Sequence, residues 1–103
     1  MELRHFRYFA AVAEHLNYSE ASRRLHVAQP AISQTILDLE AEIGAQLFTR
    51  SNRKVQLTAA GAVLLAEVQG ILERAEGAKR ATQRAARRSH REQGRRPSPG
   101  GRV

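Results

Sequence analysis

Along the first sixteen residues, apolar side chains recur at three- and four-residue steps: Leu3, Phe6, Phe9 or Ala10, Ala13 and Leu16. That spacing places them on one face of a helix over residues 3–16. Asn17-Tyr18-Ser19 breaks the pattern. Ser19 is expected to cap a short second helix over 20–26, with Glu20 at the positive end of its dipole and Ala21 and Leu25 facing inward. Val27-Ala28-Gln29 leaves room only for a tight turn, and Pro30 is expected to open a third helix, because proline is favoured at the first helical position. Ile32, Ile36, Leu39 and Ile43 follow at steps of four, three and four. They predict a single buried face that ends at a glycine cap, Gly44.

Beyond Gly44 the period shortens. Leu47-Phe48-Thr49-Arg50 reads as a strand, Ser51-Asn52-Arg53-Lys54 as a polar turn, and Val55-Gln56-Leu57 as the returning strand. Thr58 is placed to cap a last helix that runs to about Ala86. Along it Leu64, Val68, Ile71, Ala75, Ala78, Thr82 and Ala85 alternate steps of four and three, a heptad-like seam. Such a helix is roughly 40 Å long, more than so small a domain covers. The seam is therefore expected to meet a second copy of itself, through Leu64, Val68, Ile71, Ala75 and Ala78. Covering the domain's own core is the alternative for Leu64, Val68 and Ile71. From Arg87 to Val103 the only apolar residue is Val103, and Arg, Gly, Pro and Ser dominate. That stretch is expected to be disordered.

Composition sharpens this picture. Tryptophan is absent and aromatics are 5% of the chain, so the core must rest mostly on Leu, Ile, Val and Ala, which favours helices over a sheet sandwich. No cysteine is present, which excludes disulfides and thiolate metal sites. No apolar run matches a membrane span or a signal peptide, and the default compartment is the cytoplasm. The net charge is +7, but residues 87–103 hold six Arg against one Glu, and residues 1–86 eleven Lys/Arg against nine Asp/Glu. Bulk charge is weak support for nucleic-acid binding when most of it sits in the tail.

The placed residues carry the functional argument. Two short helices joined by a tight turn and braced by an earlier helix make a helix-turn-helix, whose second helix fits the major groove of B-DNA. Gln29, Ser33 and Gln34 are polar groups near the start of that helix, opposite its apolar face. A glutamine amide can pair with adenine and a serine hydroxyl with several bases. An ordinary solvated helix face is the plainer explanation of these three residues. The order of elements shifts the balance, since the basic hairpin tip with Arg53 and Lys54 reads as a wing, and an arginine there can enter the minor groove. Enzymatic chemistry finds no support. His5, His15, His26 and His90 lack ligand spacing, Glu40 and Glu42 do not share a helix face, and Ser19, Ser22 and Ser33 lack an oriented His/Asp partner. No cofactor is expected.

The run Leu3-Arg4-His5-Phe6-Arg7-Tyr8-Phe9, then Ala21 through Ser33, Leu39-Glu40, Ile43-Gly44, Leu47-Phe48 with Arg50, and Leu57-Thr58-Ala59-Ala60-Gly61 resembles the LysR-type transcriptional regulators over about residues 1–80. The resemblance implies a mainly α fold: a winged helix-turn-helix over 1–57 and a long linker and dimerisation helix over 58–86; the basic tail over 87–103 lies beyond it. It implies double-stranded DNA and a second copy as partners, on an interrupted inverted repeat. It implies base contacts from Gln29, Pro30, Ser33 and Gln34 and a minor-groove contact from Arg53. Phosphate contacts are expected from Arg4, Ser19, Arg50 and Lys54. Many members carry Arg or Lys where this chain has Gln34, and glutamine cannot make the bidentate cationic contact to guanine. Members also continue into a large effector-binding domain with no counterpart in these 103 residues, so no small-molecule effector is expected for them. The alternative in another class is an interaction module that pairs with a full-length regulator and inhibits it. A third reading, sequence-independent binding through the tail, makes DNA affinity depend on residues 87–103.

Overall fold

The computed structural model describes residues 1–51 and 54–95, with side chains to Ser89. Asn52 and Arg53 of the hairpin tip, and the tail beyond Arg95, lie outside the described residues. The elements run α1 (Leu3–His15), α2 (Tyr18–Leu25), α3 (Gln29–Ile43), β1 (Phe48–Ser51), β2 (Lys54–Leu57) and α4 (Ala59–Arg95). This is the mainly helical winged helix-turn-helix that the sequence pattern predicts, followed by a long helix. Residues 1–72 form one unit, and α4 from Glu73 onward belongs to a second.

The helical stripes close a single core. Phe6, Phe9, Val12 and Ala13 of α1 meet Tyr18 and Ala21 of α2, Ile32, Ile36 and Leu39 of α3, Leu47 and Phe48 at the start of the hairpin, and Val68 of α4. Burying each large apolar side chain contributes about 1.5–3 kcal/mol. The Phe48 ring is central, 5.4 Å from the Phe9 ring and 6.5 Å, edge-on, from Tyr18. The ends of the predicted stripes fall outside this core. Leu3 and Leu16 are exposed, and Ile43, expected on the buried face of α3, is 41% exposed, because the core stops at Leu39.

Helix ends follow capping chemistry, with shifts of one or two residues from the sequence reading. Asn17, not Ser19, caps α2: its Oδ1 accepts the Glu20 backbone N–H at 2.8 Å. The side chain able to reach the third N–H is the one three residues earlier. Gln29, read as the last turn residue, is already the first residue of α3, and Pro30 occupies the second position. Gly44 ends α3 at φ 81, a conformation glycine adopts without penalty.

The hairpin is antiparallel, in the register Phe48–Leu57, Thr49–Gln56, Arg50–Val55 and Ser51–Lys54, so the turn is two residues rather than four. Two bonds anchor its base. The Glu40 carboxylate accepts the Leu47 N–H at 2.8 Å, and Thr58 Oγ1 accepts the Gly61 N–H at 2.9 Å to cap α4. Gly61 lies so close to the hairpin that a Cβ there would stand 2.2 Å from the Leu47 carbonyl oxygen.

Two expectations for the last helix change. It continues to Arg95 rather than Ala86, so residues 87–95 are helical and not a disordered tail. Within residues 87–103, Gly and Pro enter only from Gly94 onward, and the preceding Arg, Glu and Gln residues are good helix formers. The seam also divides: Val68 is fully buried in the chain's own core, and Leu64 packs against it with Leu65 and Leu72. Val68 is closed to a partner, and Leu64 is half-buried. Ile71 stays 39% exposed.

Candidate nucleic-acid interface

The turn between α2 and α3 is held tight by its own backbone. His26 ends α2 in the left-handed region at φ 56, and the Val27 N–H bonds the Ser22 carbonyl at 3.1 Å. Ser22 Oγ in turn donates to the Val27 carbonyl. These bonds bring the starts of α2 and α3 side by side. Ala28, the N-cap of α3, offers no side-chain acceptor, and its carbonyl accepts the Ala31 N–H at 3.0 Å.

Against these two helix starts stands the hairpin. Together they form an open concave surface of about 380 Å³ lined by Leu16, Asn17, Tyr18, Ser19, Gln29, Ser33, Arg50, Lys54 and Val55. Its lining holds two cations and no carboxylate. Five residues singled out from the sequence (Ser19, Gln29, Ser33, Arg50 and Lys54) converge here from α2, α3 and the two strands of the hairpin. Pro30 and Gln34 are exposed on α3 but do not line this surface. Arg4 sits apart on α1, exposed and 3.5 Å from the Glu2 carboxylate. Arg53 lies outside the described residues.

Hydrogen bonds preset several of these side chains. Ser19 Oγ donates to Gln29 Oε1 at 3.1 Å. A carbonyl oxygen has two lone pairs, so Gln29 can still accept a second bond while its amide donates. Gln34 Nε2 donates to Asp38 Oδ1 at 2.9 Å, one turn along α3. Arg50 Nη2 donates to the Tyr18 hydroxyl at 2.6 Å, and the guanidinium lies 4.9 Å from the centre of the Tyr18 ring. A cation held over an aromatic face loses less freedom when an anion arrives than one swinging in solvent. On α2, Glu20 pairs with Arg23 and Arg24, whose hydrogen bonds and charge hold its carboxyl below the ordinary carboxylate range.

Sequence reasoning missed Tyr18 and Asn17. Asn17 had a local signal, since Asn followed three residues later by Glu is the capping-box spacing. Tyr18 had none: its partner Arg50 is thirty-two residues away. Among the described residues no three His, Asp or Glu side chains converge as a metal site, and no helix is long and apolar enough to cross a membrane.

Comparison with known proteins agrees with this geometry. Residues 3–62 match the family described as bacterial regulatory helix-turn-helix protein, lysR family. The chain is 53% identical over 79 residues to the Hca operon transcriptional activator HcaR of Escherichia coli, covering 77% of this chain and 27% of that protein. It is 54% identical over 65 residues to the regulator AlsR of Bacillus subtilis, covering 63% of this chain and 22% of that protein. The chain thus spans about a quarter of the length of these curated relatives, which are transcriptional regulators and not enzymes. Among solved structures it is similar to the CbnR_DBD-DNA complex, with a TM-score of 0.79 at 44% identity, over 84% of this chain and 99% of that one. It is similar also to the BenM_DBD/catB site 1 DNA complex, with a TM-score of 0.81 at 38% identity, over 84% of this chain and 97% of that one.

Proposed function

Since the chain belongs to the LysR family of bacterial helix-turn-helix regulators, we propose that it reads double-stranded DNA sequence-specifically, as a dimer on an interrupted inverted repeat. The observation that carries this is the concave surface where Gln29 and Ser33 of α3 stand beside Ser19 of α2 and Arg50 and Lys54 of the hairpin, with no carboxylate among the lining residues. In this reading α3 enters the major groove. Gln29, Pro30, Ser33 and Gln34 meet base edges, and Ser19, Arg50, Lys54 and Arg4 meet phosphates. Arg53 reaches the minor groove from the wing. Arg50 arrives pre-positioned by Tyr18, and Gln29 by Ser19. Gln34 keeps its Oε1 and one amide hydrogen for a base while Asp38 holds the other.

Two reading helices must meet successive major grooves roughly 34 Å apart, which is the reason for a dimer. With Val68 and Leu64 engaged in the core, the pairing surface of α4 is its exposed apolar edge: Val63, 66% exposed, and Ile71, with Ala75 and Ala78 further along the helix. Val63→Asp with Ile71→Asp is expected to give folded monomers in analytical ultracentrifugation, and persistence of the dimer rejects this surface. The base-reading role is tested by selecting sites from a random-sequence pool and measuring fluorescence anisotropy. Gln29→Ala is expected to cost about 1–3 kcal/mol on the selected site and to relax base preference. An equal loss on selected and random duplexes contradicts base reading.

A further inference from the structure

The wing and the reading helix do not account for the cations of α4. Between Gly77 and Ser89 the helix carries Lys79, Arg80, Arg84, Arg87 and Arg88 and no carboxylate, whereas Glu67, Glu73 and Glu76 all precede this stretch. All five cations are exposed, and among the described residues none of them joins an ion pair. Arg80, Arg84, Arg87 and Arg88 follow at steps of four, three and one. At 3.6 residues per turn they fall within an arc of about 100° and a rise of about 12 Å. Ala78, Thr82 and Ala85 occupy the other side of the helix.

We infer that this arginine stripe is a second, sequence-independent contact to the phosphate backbone of duplex DNA, separate from the surface built by α2, α3 and the hairpin. The choice of occupant rests on charge and shape. Duplex DNA presents one negative charge per about 1.7 Å of axis, so the stripe faces several phosphates at once, and guanidinium groups bind phosphate oxygens in a fork. A helix that lies on anionic lipid needs large apolar side chains to insert opposite its cations, and alanine and threonine stand there instead. The choice of duplex DNA rests on the function proposed above; the stripe itself does not depend on base reading.

The test compares the full chain with its R80Q/R84Q/R87Q/R88Q variant on a random-sequence duplex across a salt series. Glutamine keeps helix propensity close to that of arginine, and circular dichroism checks that α4 persists. Each phosphate contact removed lowers the slope of log affinity against log salt by about 0.9. The variant is expected to lose about 2–4 units of slope and to bind random duplex at least tenfold more weakly at low salt, with its preference for a selected site undiminished. An unchanged slope overturns the inference. Phosphatidylserine vesicles provide the third arm: arginine-dependent vesicle binding with an unchanged duplex slope assigns the stripe to a membrane and also overturns it. Gln29→Ala in parallel separates the two ideas, because failure of base reading leaves the arginine-dependent slope in place.

Discussion

The first and second parts of α4 share one helical period and differ in what that period does. Up to Leu72, Leu64 and Val68 of the seam, with Leu65 and Leu72 beside them, pack against or within the core of residues 1–72, and Ile71 stays exposed. From Glu73 onward the matching positions are alanines and a threonine, and the remaining surface is cationic. A continuous heptad-like spacing therefore does not establish a continuous interface. Side-chain volume separates the two: a leucine or valine buries enough area to hold a helix on a core, and an alanine does not. The first part is held by packing, and the small side chains of the second leave more of its stability to intrinsic helix propensity.

The largest effect that can test this contrast is expected at Val68. Val68→Asp places a charge where no solvent reaches, and urea denaturation should show a loss of about 3–5 kcal/mol or a failure to fold. Ala78→Asp should leave the denaturation midpoint of a monomeric background unchanged. A comparable loss at both positions would erase the distinction between the two parts.

Gly61 comes next. Its missing Cβ leaves space for the Leu47 carbonyl and the Leu57 side chain. Gly61→Ala forces backbone to move and is expected to cost about 1–3 kcal/mol. Gly70→Ala and Gly77→Ala serve as opposites, since a Cβ meets nothing within 4 Å at Gly70 and only the Arg80 side chain, at 3.9 Å, at Gly77. Each should gain up to about 1 kcal/mol of helix stability. For Gly77→Ala the gain should appear as slower amide exchange across residues 73–89 with little change in the global midpoint. A shift of the global midpoint as large as that of Gly70→Ala would show that the second part unfolds with the core.

Thr82 supplies the smallest effect. Its hydroxyl donates to the Ala78 carbonyl at 2.8 Å, a back-bond that competes weakly with the helix ladder. Thr82→Ala should add about 0.5 kcal/mol of helix propensity, read again by amide exchange between residues 78 and 89. No change there would mean that this part is already held by packing.

Much of the fold was legible because its causes are local. The apolar period of α1 and α3, the glycine that ends α3, the threonine that caps α4 and the alternation of the hairpin each depend on residues within a few positions of one another. The candidate interface was partly legible for the same reason: Gln29, Ser33, Arg50 and Lys54 follow from the order of a turn, a helix and a basic hairpin. The end of α4 was placed too early because composition was averaged over 87–103, although the glycines and prolines of that stretch begin at Gly94.

Other features depended on the tertiary structure alone. Periodicity reports that Val68 and Ile71 share an apolar helix, but only the packed chain decides that Val68 turns inward while Ile71 remains open. Residues three apart point about 60° from each other, enough to cross the edge of a core. Tyr18 holding Arg50, and Glu40 accepting the Leu47 N–H, join groups from separate elements. Nothing near either residue in the sequence specifies the partner. Such pairs exist because hydrophobic burial first brings α2, α3 and the hairpin together, and the polar groups carried to the same place must then satisfy one another. Sequence by itself therefore determined which elements form and in what order, and the packed structure decided which of their side chains meet.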